Sequence, residues 1–250
     1  VTTMLNMFHN VTLSIENYDA LLIAWNELEL QNNVAFSGGN SKYTTGSAAA
    51  RANIIATDSW TITDGGSIPS MTITSAQVTT GATSNDATLS LTFTASEATT
   101  DFVEGDITVS GGTLSNFAES SSIVYTATFT PTTDGATSID VADAKFTDAS
   151  GNDNTAATQF NWTYDSTDPT LDLSLLSPLD DATGVAVDAN IVLTFSEAVD
   201  VESGTITIKK TSDNTTIEAI DVTGPLVTGT GTPTITINPT DDLASSTGYY

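Results

Sequence analysis

From residue 67 onward, apolar residues alternate with polar ones in short runs, as at 89–93, 125–129 and 160–164. Successive side chains of a β-strand point to opposite faces of its sheet, so each run predicts a strand with one apolar face. Turn-forming residues at 84–86, 111–112 and 133–135 separate these runs. About seven short strands in ~100 residues are typical of an antiparallel β-sandwich. We therefore predict a chain that is mainly β.

The same plan occurs twice. The segment LTFTASEA, which begins at Leu91, is echoed by LTFSEA, which begins at Leu193. The second series of predicted inward positions is Ile191, Leu193, Phe195, Ile206, Ile208, Ile217, Ile220, Ile235 and Ile237. We therefore predict tandem sandwiches at 67–168 and 169–250. The second stops before the last strands of such a fold, so we expect it to be truncated at its C-terminus.

Residues 1–66 follow a different pattern. Ser14 can cap a helix over 15–28, whose predicted apolar face consists of Tyr18, Leu21, Leu22, Trp25 and Leu28. A short strand at 34–36, an Ala-rich helix at 47–57 and a strand at 60–62 follow. So few elements are too little for a core of their own, and we therefore expect an α/β cap that ends a repeat array.

The charge balance excludes one class of partner. The chain has 5 Lys and Arg residues against 31 Asp and Glu, a formal net charge of -26. Such a surface repels phosphate, so we expect no nucleic-acid partner, and it suits divalent cations. The sequence has no cysteine, which excludes disulfides and thiolate metal sites. No apolar run approaches the ~20 residues of a membrane span, so we expect no direct membrane insertion of this segment.

The candidate metal ligands are Asp148, Asn152 and Asp153 in one loop and Asp165 and Asp168 in a hinge. Ca²⁺ takes six to eight oxygen ligands from carboxylates, amides, backbone carbonyls and water. The loop precedes the last strand of the sandwich and the hinge follows it, so one site need not unite all five residues. Alternatively, these residues are ordinary turn formers, because Asp and Asn hydrogen-bond their own backbone.

The sequence offers little material for catalysis. His9 is the single histidine, and no cysteine or G-x-S-x-G motif is present, so a nucleophilic triad cannot be assembled. Glu97 and Glu197 occupy equivalent places after core strands, but they fall in different predicted domains. We therefore predict that the chain is not an enzyme.

Three segments resemble known families. The stretch that contains NYDALL (17–22), GNSKY (39–43) and WTITDGG (60–66) resembles the C-terminal end of BspA-like bacterial surface proteins, which carry leucine-rich-type repeats of about 26 residues. Residues 71–168 resemble the bacterial Ig-like domains of large secreted adhesins through SEA (96–98), GDITV (105–109) and FTDASGN (146–152). Residues 170–250 resemble the Ig-like domain named after S-layer proteins through SPLDDATGV (177–185) and LTFSE (193–197).

The resemblance implies an extracellular or cell-surface protein that acts as an adhesin or stalk. It also implies Ca²⁺ at acidic junctions, where the ion stiffens a string of domains. The ligand would lie on a host, neighbouring-cell or matrix surface and would be a protein or a glycan. Two alternatives stay open: accessory domains of a large extracellular polysaccharide-active enzyme, and an S-layer or filament subunit.

Overall fold

The computed structural model describes residues 3–8 and 10–250. The chain divides into two compact units, Val1–Ser166 and Thr167–Tyr250. The first unit holds an α/β segment followed by a β-sandwich, and the second holds further β-strands. The domain boundary predicted between residues 66 and 67 lies inside the first unit and stays a prediction.

The α/β segment alternates strands and helices. In chain order its elements are β1 (Thr3–Met4), α1 (Ile15–Asn26), β2 (Ala35–Ser37), α2 (Thr45–Asp58) and β3 (Thr61–Thr63). The strands form one parallel sheet in the order β1-β2-β3, and the helices are the crossovers that parallel pairing requires. Both predicted helices are confirmed. The predicted cap is confirmed too, because the Ser14 hydroxyl accepts the Asn17 amide at 3.4 Å.

The apolar face of α1 packs onto the sheet. Tyr18 and Leu22 are fully buried against Phe36, and Leu21 and Trp25 pack around them. The prediction for Leu28 is wrong. The helix ends two residues earlier, at Asn26, so Leu28 no longer follows the helical face and is 61% exposed.

The buried carboxylate of Asp64, which follows β3, binds side chains from both helices of this segment. The Arg51 guanidinium Nε lies 2.8 Å from Asp64 Oδ2, and the Tyr18 hydroxyl donates to the same oxygen at 2.8 Å. Burial, followed by the Asp64 carboxylate, raises the pKa of Tyr18, which therefore stays a hydrogen-bond donor. No local sequence pattern reveals these contacts, because Arg51 and Tyr18 lie 13 and 46 residues from Asp64.

The first sandwich consists of eight strands. They are β4 (Met71–Ser75), β5 (Thr83–Ser84), β6 (Leu89–Ala95), β7 (Ile107–Ser110), β8 (Gly112–Ser121), β9 (Val124–Pro131), β10 (Gly135–Val141) and β11 (Phe160–Tyr164). One four-stranded sheet has the order β4-β6-β9-β8 and the other has the order β5-β11-β10-β7. Neighbouring strands are antiparallel except for β5 and β11, which are parallel.

The predicted alternation of side chains in this sandwich is confirmed. The inward positions of β6, β9, β10 and β11 are buried in one core: Leu89, Leu91, Phe93, Tyr125, Ala127, Phe129, Ile139, Val141, Phe160 and Trp162. Phe129 from one sheet meets Trp162 from the other edge to face, with ring centroids 4.9 Å apart. The two sheets therefore enclose a continuous apolar layer, which includes the buried Trp162 of the predicted run 160–164.

The second unit contains five strands in the described residues. They are β12 (Ile191–Val199), β13 (Thr205–Lys209), β14 (Thr216–Asp221), β15 (Val227–Thr228) and β16 (Thr232–Ile237). A three-stranded sheet has the order β12-β16-β15, and β13 pairs with β14 in a two-stranded sheet. Every pairing is antiparallel.

The core of the second unit is smaller. Its fully buried members are Ile208, Ile220, Ile235 and Ile237, and the predicted inward residues of β12 are only half-buried. The prediction for Ile217 is wrong, because this side chain is 42% exposed. Ile217 falls at the register shift of the β13–β14 ladder, between the paired residues Thr216 and Glu218, so it does not follow the alternation that places Ile220 inside.

Gly112, which begins β8, tests how tightly the first sandwich is packed. A Cβ atom there would collide with the Phe129 ring and the Thr130 carbonyl oxygen, and Phe129 is fully buried. We expect Gly112→Ala to lower the free energy of unfolding by about 1–3 kcal/mol, which is the usual cost of overpacking a core. Urea unfolding followed by circular dichroism measures this loss.

The matched control is Gly105→Ala in the short 3₁₀ turn Glu104–Asp106, where an added Cβ meets no atom within 4 Å. Equal stability of the two variants would contradict the packing described for Gly112.

Candidate functional site

The loop between β10 and β11 contains three of the predicted metal ligands. Asp148 is buried, and its Oδ1 accepts the amide N–H groups of Ser150 and Asn152, both at 2.8 Å. Its Oδ2 accepts the side-chain amide of Asn152 at 2.9 Å. The Asp148 carboxylate therefore holds the turn of its own loop, as the turn-former alternative predicts.

Asn152 attaches this loop to the α/β segment. It is buried, and its Nδ2 donates to the carbonyl oxygens of Gly65 at 3.2 Å and Ser67 at 3.0 Å. Nearby, the amide of Thr155 donates to the carbonyl oxygen of Pro69 at 2.9 Å. These bonds hold the segment that leaves β3 against the end of the sandwich.

Glu97 brings a second carboxylate to this end of the sandwich. Its Oε1 accepts a hydrogen bond from the Ser67 hydroxyl. Burial, followed by the negative charge of Asp148, raises the pKa of Glu97. Glu97 and Asp148 thus repel each other when both are ionised.

Asp101 is a polar residue of this end that the sequence pattern did not single out. Its Oδ2 accepts the Thr147 hydroxyl at 2.8 Å, and its Oδ1 accepts the Thr147 amide at 3.0 Å and the Thr99 hydroxyl at 2.6 Å. Burial alone would raise the pKa of Asp101, but these hydrogen bonds outweigh it and hold the pKa below its usual range. Thr147 lies 46 residues from Asp101, so no local motif could reveal the contact.

The other predicted ligands do not join this pair. Asp153 lies in the same loop but is exposed, and Asp168 belongs to the second compact unit. Asp165 follows β11, and its amide donates to the carbonyl oxygen of Ser84 at 3.0 Å. Strand β10 begins near Asp165 and ends at the loop of Asp148, and its seven residues span roughly 20 Å. The structure therefore brings Asp148 and Asn152 together and keeps Asp165 at the opposite end of the sandwich.

The side chains that accompany Asp165 are also polar. Asp134 Oδ1 accepts both the amide of Ser166 at 2.9 Å and its hydroxyl at 2.8 Å. This end of the sandwich, like the other, is organised by carboxylates that accept backbone N–H groups.

Within residues 3–8 and 10–250, no cluster of three or more His, Cys, Asp or Glu side chains is arranged to hold a metal ion. The Ca²⁺ ligand set therefore stays a prediction. His9 lies outside the described residues. None of the helices in the described part of the chain is long and apolar enough to cross a membrane.

Family comparisons agree with this architecture. Residues 66–164 match one family model and residues 165–250 match another, and each model is described as a bacterial Ig-like domain. The chain carries two bacterial Ig-like domains. The Ig-like fold predicted for both sandwiches is confirmed, whereas the BspA-like and S-layer-type likenesses stay predictions. Comparison with curated proteins gave no match.

One solved structure similar to this chain is that of the adhesin InvE of Yersinia pseudotuberculosis, with 18% sequence identity and a TM-score of 0.26. The match covers 70% of this chain and 52% of the other, so the chain spans about half the length of that structure. A TM-score of this size carries no conclusion about function.

Because Glu97 and Asp148 repel each other when both are ionised, we expect Glu97→Gln to raise the melting temperature at neutral pH but not at low pH. The pKa of Glu97 is raised above its ordinary value of 4.5 in the folded protein. The stability that neutral Glu97 contributes is therefore complete below pH 4.5 and is lost as the pH rises through the raised pKa. We expect the variant to melt a few degrees above the parent at pH 7 in EGTA and at the same temperature below pH 4.5.

Thermal unfolding at several pH values measures this difference, and the exposed Glu104→Gln is the control in the same unit. A difference between Glu97→Gln and the parent that is the same at all pH values would show that charge repulsion is not its cause.

Proposed function

We propose that this chain is part of a modular bacterial cell-surface or secreted protein, in which the Ig-like domains act as a non-catalytic stalk. The tandem match to two bacterial Ig-like domains supports this role. The stalk would carry tension between the cell and an adhesive contact on a host, neighbouring-cell or matrix surface.

The pairing of β5 with β11 is the observation that supports a stalk able to resist tension. These strands stand near the beginning and at the end of the first sandwich, and they are parallel, with Thr83 beside Thr163 and Ser84 beside Tyr164. Flanking bonds extend the contact, from the Gly81 amide to the Asn161 carbonyl at 2.8 Å and from the Asp165 amide to the Ser84 carbonyl at 3.0 Å.

The parallel orientation determines how tension acts on these bonds. A pull on the start of β5 and on the end of β11 acts along both strands in opposite directions. All the bonds between the strands are then stretched together, in shear. A pull on neighbouring ends of the two strands would instead break the bonds one after another.

Single-molecule stretching tests this geometry, and a chain without cysteine allows unambiguous attachment. A chain with Thr79→Cys and Ser166→Cys is pulled in shear, whereas one with Thr79→Cys and Gln159→Cys is pulled so that β5 peels away from β11. All three positions are exposed. We expect the shear geometry to require a several-fold higher rupture force.

Equal rupture forces in the two geometries would contradict a stalk that resists tension through β5 and β11. Thermal unfolding of both double variants without tethers controls for damage by the substitutions themselves.

We also propose that the α/β segment ends a leucine-rich-type repeat array. Two features support it: the strands are parallel and in sequence order, and Phe36 pairs with Ile62, which lies 26 residues further along the chain. Stacked repeats of one strand and one helix produce this pattern. In this proposal the array holds the adhesive contact and Asn152 fastens its end to the stalk.

The proposal includes a Ca²⁺ ion bound at the end of the first sandwich that holds Glu97 and Asp148. A divalent cation beside these carboxylates would screen the repulsion that raises the pKa of Glu97. Asp148 already accepts three N–H groups, so backbone carbonyls and water would have to supply most of the six to eight oxygens.

Thermal unfolding of the whole chain in EGTA, in millimolar Ca²⁺ and in millimolar Mg²⁺ tests this part. We expect Ca²⁺ alone to raise the first unit's melting temperature by several degrees and Glu97→Gln to reduce that rise. Asp213→Ala, an exposed position in the second unit, is the control. An unchanged melting temperature in Ca²⁺ would contradict the calcium site but would not bear on the proposed stalk role.

A further inference from the structure

The connecting segment 165–170, where the first compact unit gives way to the second, contains an aspartyl–prolyl bond. The chain has seven prolines, and of these only Pro169 follows an aspartate, Asp168. A peptide bond to proline is a tertiary amide, because the ring nitrogen carries no N–H. This nitrogen is more basic than that of an ordinary peptide bond, so it leaves more readily as an amine. The pair therefore differs chemically from every other bond of the sequence.

Hydrogen bonds hold the connecting segment on both sides of this bond. On the first unit's side, the Ser166 amide donates to Asp134 Oδ1 at 2.9 Å. On the second unit's side, the Thr170 amide donates to Ser196 Oγ at 2.9 Å, and the Ser196 amide donates back to the Thr170 carbonyl at 2.8 Å. The aspartyl–prolyl bond lies between these two attachments, so its cleavage would leave both of them intact.

Exposure leaves the reacting groups accessible. Asp168 and Pro169 are both exposed. An exposed side chain changes rotamer within picoseconds to nanoseconds, so the Asp168 carboxyl group can come to lie over its own backbone carbonyl carbon. Asp172, four residues further on, is held differently, because its Oδ1 accepts the amide of Ser174 at 2.9 Å and its hydroxyl at 2.6 Å.

We propose that the bond between Asp168 and Pro169 is a self-cleavage site, which breaks in acid and separates the two Ig-like domains without a protease. A carboxyl oxygen of Asp168 attacks the backbone carbonyl carbon of the same residue and closes a five-membered anhydride ring. The bond from that carbon to the Pro169 nitrogen breaks, and the carboxyl proton passes to the nitrogen. Water then opens the anhydride, so the net reaction is hydrolysis of one peptide bond, with no oxidation or reduction.

Acid drives this reaction because the proline nitrogen must gain a proton as it leaves. We therefore expect the cleavage rate to rise as the pH falls below neutral. Both halves of the chain would keep their sheets, since the broken bond lies outside every strand of the described residues. The cleavage depends on the chemistry and exposure of one bond and not on the proposed stalk role.

Mass spectrometry of the whole chain tests the site. The chain is kept with protease inhibitors at pH 7 and at the lowest pH at which circular dichroism still shows the native fold. We expect the fragments 1–168 and 169–250 in acid only, with masses that together exceed the mass of the chain by one water. The blocked peptide DSTDPTL, which has the sequence of residues 165–171, supplies the reference rate. Because the bond is exposed, we expect the chain and the peptide to be cleaved at similar rates.

Two variants test the chemistry. Asp168→Glu keeps the carboxyl group but must close a six-membered ring, and Pro169→Ala replaces the tertiary amide with an ordinary one. We expect each to slow cleavage about tenfold, which corresponds to about 1.4 kcal/mol in the barrier. The control is Asp188→Asn, which removes an exposed carboxyl group of the second unit that precedes an alanine and should leave the rate unchanged.

A cleavage rate in the folded chain about tenfold or more below that of the peptide would show that the fold shields the bond, and would overturn the proposal without depending on any variant. Fragments that end at other residues would do the same. Equal rates for the parent chain and Asp168→Glu would show that the side chain does not attack, and would exclude self-cleavage.

Discussion

Burial of alternating side chains between two four-stranded sheets is the constraint on which the first unit depends. Phe93 and Phe129 on one sheet and Trp162 on the other are almost completely excluded from solvent. Since each strand contributes every second residue, a register slip of one position would turn its apolar side chains outward. The core therefore determines the register of every strand, and the register determines which loops meet at each end of the sandwich.

Carboxylates that accept backbone N–H groups organise loops in both units. Asp148 and Asp101 accept backbone N–H groups in the first unit, and Asp172, Asp213 and Asp221 do the same in the second. For the last three, hydrogen bonds from Ser or Thr two residues further on hold the carboxyl pKa below its usual range. Asp in such turns makes a loop rigid without any ion, so an excess of acidic residues is not by itself evidence for calcium.

The two units differ in the size of their cores. The first sandwich is closed by the parallel contact of β5 with β11, which joins a strand near its beginning to its last strand. In the second unit the buried core is limited to Ile208, Ile220, Ile235 and Ile237, and the inward residues of β12 are only half-buried. The first unit therefore rests on a larger buried apolar layer than the second.

Local periodicity was enough to predict most of the strands, both helices and most of the core, because a period of two or of about 3.6 residues directly reports which side of an element is buried. It failed where no such signal exists. Strand β8 is largely exposed and contains register shifts, so its sequence does not alternate, and Ile217 lies beside another shift. Asp148, Asn152 and Glu97 of the candidate site were singled out from the sequence, but their partners were not, and Asp101 was missed altogether. Asn152 reaches Gly65 across 87 residues, and Asp101 reaches Thr147 across 46. The sequence by itself determined the sandwich fold, since burial acts on each strand separately. Only the tertiary structure decided what the loop residues bind, because loop contacts depend on which strand ends the sheets bring together.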